Sequence, residues 1–357
     1  RDRRVAAAMK ILHIITRLIL GGAQQNTVLC CAAQHREAHR VTLAFGPIYG
    51  PEGSLLAEAQ ASGAALKQVR SLRRHLSPVR DLLCYGELRQ LIRKIRPDVV
   101  HTHSSKAGIL GRAAAWAERV PAVIHTVHGL PFHDRQPRFV QRVYVAAETW
   151  AARRCHYLIA IAPAMVESFS AAGIAGPRCF AVIPSGMDLK AFPADAALRP
   201  AVRRELGIPE AALVLGIVAR LDPLKGHDDL LDIFPDLLSR MPRLRLLLIG
   251  DGQRRRHLER RIHDEGLENR VMLCGLVPHD EVGRLLSAVD VKVLPSYQEG
   301  QSRTLIEALL CGCGIVAYNV GGIGSVCIDG QTGRLVTVGD RAALLQTIVW
   351  MFDHPHQ

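Results

Sequence analysis

Two doubly wound α/β domains, each with a parallel Rossmann-like sheet, are the architecture this sequence predicts. Three observations predict it. The chain has 357 residues, too many for one hydrophobic core of ordinary size. Strand-length apolar runs alternate with helical patterns, the mark of parallel sheets covered on both faces. The alternation breaks once, at residues 185–205, where Pro193 and Pro200 stand and no period is visible. Domains are therefore expected at residues 9–184 and 206–357, with a linker at 185–205 and residues 1–8 as an upstream extension. Sheets of this kind bind ligands outside the carboxyl ends of their strands, so a central cleft faced by both domains is expected.

In the first half, KILHIIT (10–16) reads as a buried strand, followed by Gly21-Gly22 and a helix over 23–34. Residues 40–45 and 64–69 give two further strands. Residues 78–96 form an amphipathic helix with Leu82, Leu83, Leu88, Leu91, Ile92 and Ile95 as its apolar positions, ended by Pro97. Strand 99–102, helix 106–119, strand 122–127 and helix 138–154 follow. Strands 157–162 and 179–183 close this half. In the second half, strand 212–219 leads to a helix from Gly226. Strand 244–249, helix 253–265, strand 271–273, helix 279–288 and strand 291–294 continue the alternation. A helix N-capped by Ser302 runs to Leu310. Strands 315–318 and 334–338 and a helix from Arg341 complete the chain.

The net charge of +12 is unevenly spread. Residues 1–190 carry 26 Lys/Arg against 12 Asp/Glu, whereas residues 191–357 carry 19 against 21. The first half is thus expected to meet something anionic. Its basic set is Arg70, Arg73, Arg74, His75 and Arg80, then Arg89, Arg93, Lys94 and Arg96. Interleaved exposed aromatics, which single-stranded nucleic acid needs for stacking, are not expected there, so nucleic acid is set aside. An anionic membrane face or an anionic acceptor is the expected partner. No apolar run is long enough to span a bilayer, and residues 1–10 do not read as a signal peptide. Nine cysteines without CxxC spacing read as buried thiols of a reducing cytoplasm.

Five stretches carry chemistry. Gly21-Gly22, at the start of a helix, lets backbone approach a ligand, or makes a plain turn. In GIVARLDPLKG (216–226), Arg220 and Lys225 at the carboxyl end of a strand suit a diphosphate leaving group. The alternative is a surface ion pair with Asp222 or Asp228. His101, His103, His125 and His128 cluster in sequence without an acid or Cys at metal-ligand spacing. His128, just past a strand, is the one expected to meet substrate, and the others read as structural. Gly250-Asp251-Gly252 reads either as a turn or as a loop near a nucleotide. Finally, residues 296–322 hold Glu299 in a loop and Glu307 eight positions later, two acceptors for sugar hydroxyls beside a helix N-terminus. Gly312 to Ala317 matches G-x-G-x-x-A, but it follows a helix and leads into a strand, the reverse of the dinucleotide fingerprint.

Taken together, Gly21-Gly22, PDVVHTHSSKAGILGR (97–112) with HTVHG after it, ARLDPLKG, and Glu299/Glu307 followed by Gly321-Gly322 resemble a family 4 glycosyltransferase of GT-B fold. The resemblance runs from Lys10 to about Val338. It implies metal-independent transfer of a sugar, with retention, from a nucleotide donor, UDP being the expected base carrier. No D-x-D triplet stands in the chain to hold a divalent ion. By matching positions, Arg220 and Lys225 would bind the diphosphate and Glu307 the ribose. Glu299 with Gly300, Gln301, Ser302 and Arg303 would hold the donor sugar. Gly21 and Gly22 would approach the diphosphate from the first domain, and His128 would stand near the reacting centre. The expected acceptor is a glycolipid or polysaccharide precursor at the inner face of the membrane. The side chain of Arg303 reads either as favouring an acidic donor sugar or as solvent-facing, the second being preferred. Gly324 and Ser325 depart from the Pro and Glu common in the family, and little sequence follows Val338 for the fold's usual terminal crossover helix, as in a truncated chain. A UDP-sugar 2-epimerase of the same fold and a catalytically weak nucleotide-binding homologue are the alternatives.

Overall fold

Alternating apolar runs become strands whose helices return across the sheet. The computed structural model describes residues 7–50, 53–132, 136–189, 192 and 197–354; of the expected extension at residues 1–8, residues 1–6 lie outside these. The chain divides into two units, Arg1–Met187 and Asp188–Gln357.

In the first unit the order is β1 (Lys10–Ile15), α1 (Gly22–Arg36), β2 (Arg40–Phe45), α2 (Leu56–Ala61), β3 (Ala65–Gln68), α3 (Pro78–Ile95), β4 (Val99–His103), α4 (Ser105–Ala117), β5 (Ala122–Val127), α5 (Arg138–Ala152), β6 (Tyr157–Ala160), α6 (Pro163–Ala171) and β7 (Phe180–Val182). The strands form one seven-stranded parallel sheet in the order β3-β2-β1-β4-β5-β6-β7. Leu12, Ile14 and Val100 join Leu88 and Ile92 of α3 and Ala114 of α4 on one face. Ile15, Val41 and Leu43 pack with Val28 and Cys31 of α1 on the other. Each such fully buried aliphatic side chain contributes about 1.5–3 kcal/mol.

The second unit runs α7 (Leu198–Glu205), β8 (Leu213–Val218), α8 (His227–Arg240), β9 (Leu244–Ile249), α9 (Arg255–Asp264), β10 (Val271–Gly275), α10 (His279–Leu286), β11 (Val291–Leu294), α11 (Arg303–Leu310), β12 (Gly314–Tyr318), β13 (Arg334–Val336) and α12 (Arg341–Asp353). Its six-stranded parallel sheet has the order β10-β9-β8-β11-β12-β13. Leu230, Phe234 and Leu237 of α8 with Leu344 and Ile348 of α12 cover one face. Val202 of α7, Leu286 of α10 and Ala308 of α11 cover the other.

Two sequence expectations change. Residues 185–205 include the whole of α7, whose Arg203 is buried and donates to the carbonyls of Ala288, Glu210 and Ala212 while pairing with Asp290. An eight-residue, arginine-rich helix shows too little apolar period to be read directly. Leu82 and Leu83, expected on the buried side of α3, are 72% and 61% exposed, and the buried line is Cys84, Leu88 and Ile92. The short helices α2 and α6 were also not anticipated.

Candidate active site

The order of the second sheet reverses between β8 and β11, and at such a switch point the loops diverge and leave a crevice for ligand. The loops after these strands carry the predicted residues. They are pinned together: the Tyr297 N–H donates to the Leu224 carbonyl at 2.9 Å. Gly226 has φ +68°, and a Cβ there would lie 1.9 Å from the Pro295 carbonyl oxygen, so only glycine fits. Across this junction Lys225 Nζ meets Glu299 Oε1 at 2.6 Å, both side chains mostly buried. The competing ion pairs considered for Lys225 do not form. Asp222 accepts from the Leu224 N–H, and Asp228 is held by Arg254, His257 and Arg261. Arg220 is exposed at the carboxyl end of β8.

Gly300 and Gln301 lead to Ser302, which stands at the N-cap of α11 as predicted. Its hydroxyl makes no capping bond and lies 3.3 Å from Thr304 Oγ1. The positive end of α11 is therefore not capped by Ser302 and can attract an anion or hydroxyl. Arg303 is buried, 6% exposed, not solvent-facing as expected, and burial lowers the pKa of its guanidinium while the Glu307 charge one turn on works the other way. Glu307 is itself 2% exposed, with His279 Nε2 at 3.3 Å. Beneath both carboxylates Lys292 is fully buried on β11, donating to the Val218 carbonyl at 3.4 Å; burial pulls its pKa down to about 8 against the opposing pull of Glu307. Gly321 closes the site from the β12 side. At φ +55°, with its Cβ position 2.0 Å from the Glu299 carbonyl oxygen, it supports the backbone that aims Glu299. Ser325 turns its hydroxyl back onto the Gly322 carbonyl at 2.6 Å.

In the first unit the order reverses between β1 and β4. His13 and His101 are register partners there. Strand alternation puts His103 on the same face, and its Nδ1 lies 3.0 Å from Nε2 of His128, the residue directly after β5. His13 Nδ1 is 2.9 Å from His103 Nε2, and His13 Nε2 is 2.7 Å from Gln34 Oε1 of α1. His101 bonds to Thr126 at 2.7 Å, and His125, on the opposite face, to Thr102 at 2.9 Å. Burial holds His13 down at about 4 and His101, His103 and His125 well below the usual imidazole value. Ser104, where β4 ends, has φ +61°, a strained conformation of the kind stored at functional sites. Gly21 and Gly22 open α1, whose first turn has no acidic residue and no side-chain cap. Gly21 is extended at φ 176°, so its small size, not its backbone freedom, is what the position uses.

Sequence reasoning singled out Lys225 and Glu299 separately, and the structure pairs them. It missed Lys292, hidden inside the apolar run VKVL, and His279. His13 was passed over inside KILHIIT; only its register with His101 reveals it.

Residues 20–191 match the family model described as Glycosyltransferase Family 4, and residues 199–356 that described as Glycosyl transferases group 1. The UDP-Gal:alpha-D-GlcNAc-diphosphoundecaprenol alpha-1,3-galactosyltransferase of Escherichia coli is 30% identical over 288 residues, covering 80% of this chain and 74% of that protein. The 2-deoxystreptamine glucosyltransferase of Streptomyces kanamyceticus is 27% identical, covering 74% and 71%. The crystal structure of Anabaena HepE in complex with UDP-glucose matches in fold with a TM-score of 0.81 at 24% identity, over 97% of this chain and 90% of that one.

Proposed function

The chain belongs to the family 4 glycosyltransferases, and we propose that it transfers a hexosyl or N-acetylhexosaminyl group from a UDP-sugar to a lipid-linked glycan precursor, with retention and without a metal ion. The observation that carries this reading is the Lys225–Glu299 pair at the switch point of the second unit, beside the uncapped start of α11. A nucleoside diphosphate leaving group develops negative charge as the glycosidic bond breaks, and preorganised cations and helix N–H groups stabilise that charge most where water is excluded. Lys225 and Arg220 supply the cations. Glu299 and the Gly300–Gln301–Ser302–Arg303 backbone receive the sugar hydroxyls, and Glu307 the ribose. In the first unit, Gly21-Gly22 and His128 serve the diphosphate and the reacting centre. The names of the relatives support donor and acceptor class: one is named for a UDP-galactose donor and a diphosphoundecaprenol acceptor. An epimerase has no counterpart among the relatives described above.

A lipid-linked acceptor calls for a surface that meets the bilayer. Leu76, Val79, Leu82 and Leu83 stand out around the start of α3, 61–79% exposed, with Arg73, Arg74 and Arg80 exposed among them. Apolar side chains insert at the interface while each arginine adds about 1 kcal/mol at an anionic leaflet. This surface supports reading the enzyme as a peripheral protein of the cytoplasmic face of the membrane.

A panel of nucleotide sugars ranked by thermal shift identifies the donor, since ligands that bind the folded state raise its melting temperature. With that donor, Lys225→Ala and Glu299→Ala lower transfer and donor hydrolysis by about 10²–10³; wild-type rates in both overturn the reading. Sedimentation with phosphatidylglycerol vesicles tests the surface. Leu82→Gln/Leu83→Gln reduces binding, and binding indifferent to anionic lipid and to salt removes the membrane from the proposal.

A further inference from the structure

Three imidazoles lie on one face of the first sheet at its switch point, and a fourth, His128, continues the row. Two explanations compete for such a cluster. One ring nitrogen from each of His13, His101 and His103 lies within 4.8 Å of the other two, as for a metal site. A tetrahedral zinc with Zn–N of about 2.0–2.1 Å, however, separates neighbouring nitrogens by about 3.3 Å, whereas His13 Nδ1 and His103 Nε2 are 2.9 Å apart. That is the spacing of one proton shared between a donor and an acceptor. His103 Nδ1 and His128 Nε2 repeat it at 3.0 Å.

A neutral imidazole has one N–H and one lone pair, so a chain of them has a direction, and one end decides it. Here that end is Gln34. Its Oε1 can only accept, so His13 Nε2, at 2.7 Å, donates to it. His13 Nδ1 is then a lone pair and accepts from His103 Nε2–H. His103 Nδ1 is in turn a lone pair and accepts from His128 Nε2–H. Burial keeps the interior members neutral: His13 and His103 are fully enclosed, and a charged ring in either place would break the alternation.

We infer that Gln34, His13 and His103 form a directional hydrogen-bond chain that fixes His128 in the Nε2–H tautomer, so that its Nδ1 receives a hydrogen bond from a substrate hydroxyl. The inference rests on the reacting-centre role given to His128 above. Gln34, His13 and His103 are positioning residues: they act on the substrate through His128. The partner this implies is a hydroxyl that donates, on the donor sugar or the acceptor. A carbonyl or ether oxygen in the same place has no proton to give, and the opposite tautomer would select for it.

The test reads the tautomer directly. Protein labelled with ¹⁵N-histidine is examined by long-range ¹H–¹⁵N correlation without substrate, with His128→Gln used to locate the His128 signals. The expected result is Nε2–H at His13, His103 and His128. Gln34→Met, near in volume but unable to anchor the chain, converts His128 to a tautomer mixture with little change in melting temperature. It also lowers kcat for transfer about tenfold, or about 1.4 kcal/mol, with KM for the donor unchanged. Nδ1–H at His128 in the wild type, or a tautomer unmoved by Gln34→Met, overturns the chain. A shifted tautomer with unchanged kcat overturns the positioning role. The spectroscopic arm needs no turnover, so its failure is distinct from a failure of the transferase reading.

Discussion

Acidification should unfold the first unit before the second. His13, His101, His103 and His125 are all buried in the first unit with pKa values held down by burial, His13 at about 4. In the unfolded chain each returns to about 6.5. Below that pH the unfolded state therefore binds protons that the folded state refuses, and stability falls with pH. The stabilisation is complete above pH 6.5 and is lost progressively toward pH 4. Between pH 7 and pH 5 His13, held at about 4, costs about 2 kcal/mol, and His101, His103 and His125 add to the loss in the same direction, against a typical stability of about 5–15 kcal/mol. Among the described residues the second unit has one comparable group, His227, held at about 4, and loses less. Urea melts at pH 8, 7, 6 and 5, each followed by a short deuterium-labelling pulse and mass spectrometry, report the two units separately. The midpoint of the first unit should fall steeply below pH 6.5 while that of the second moves little. A first unit as stable at pH 5 as at pH 7 would refute the reasoning.

Gly321→Ala places a methyl against the Glu299 carbonyl in a left-handed backbone, so donor affinity measured by calorimetry should drop more than tenfold, with about 1–3 kcal/mol of lost stability. Glu148→Ala leaves the Arg112 guanidinium, fully buried and 2.6 Å from Glu148 in the wild type, without its counter-charge; the melt should show a loss of about 3–5 kcal/mol, and Arg112→Met/Glu148→Leu should recover most of it. Lys292→Met removes a buried ammonium whose pKa is lowered to about 8. Folding disfavours its charged form, so at pH 7 the variant should be more stable by about 3 kcal/mol, and the gain should vanish above pH 10; donor affinity should fall, because Glu307 and Glu299 lose the cation beneath them.

The fold was legible because each strand is a continuous apolar run, and continuous runs demand two covered faces. Short elements were not: α7 has eight residues and three arginines, and its burial depends on carbonyls of Glu210, Ala212 and Ala288 that no local pattern reveals. The outward turn of Leu82 and Leu83 reverses the usual inside rule, because that face of α3 has no covering element among the described residues. At the site, residues on loops after strands were visible by type and position. Those within strands were not: Lys292 sits among valines, and His13 and His103 meet only through register. Arg303 was misjudged because an arginine in a first helical turn usually faces water, whereas here the turn is packed with Glu307 on the inner side.

The Lys225–Glu299 pair has a consequence for turnover. With the roles proposed above, a nucleotide sugar would arrive at a lysine already neutralised by Glu299, and binding would be an exchange of partners. Phosphate would take the ammonium while the sugar hydroxyls took the released carboxylate. Free nucleoside diphosphate would satisfy the first half of that exchange and leave Glu299 with nothing. Once the sugar had moved to the acceptor, the carboxylate would be free to reclaim the lysine, and the spent nucleotide would face a competitor built into the site. On that proposal a single ion pair would favour intact donor over product on the way in and displace product on the way out.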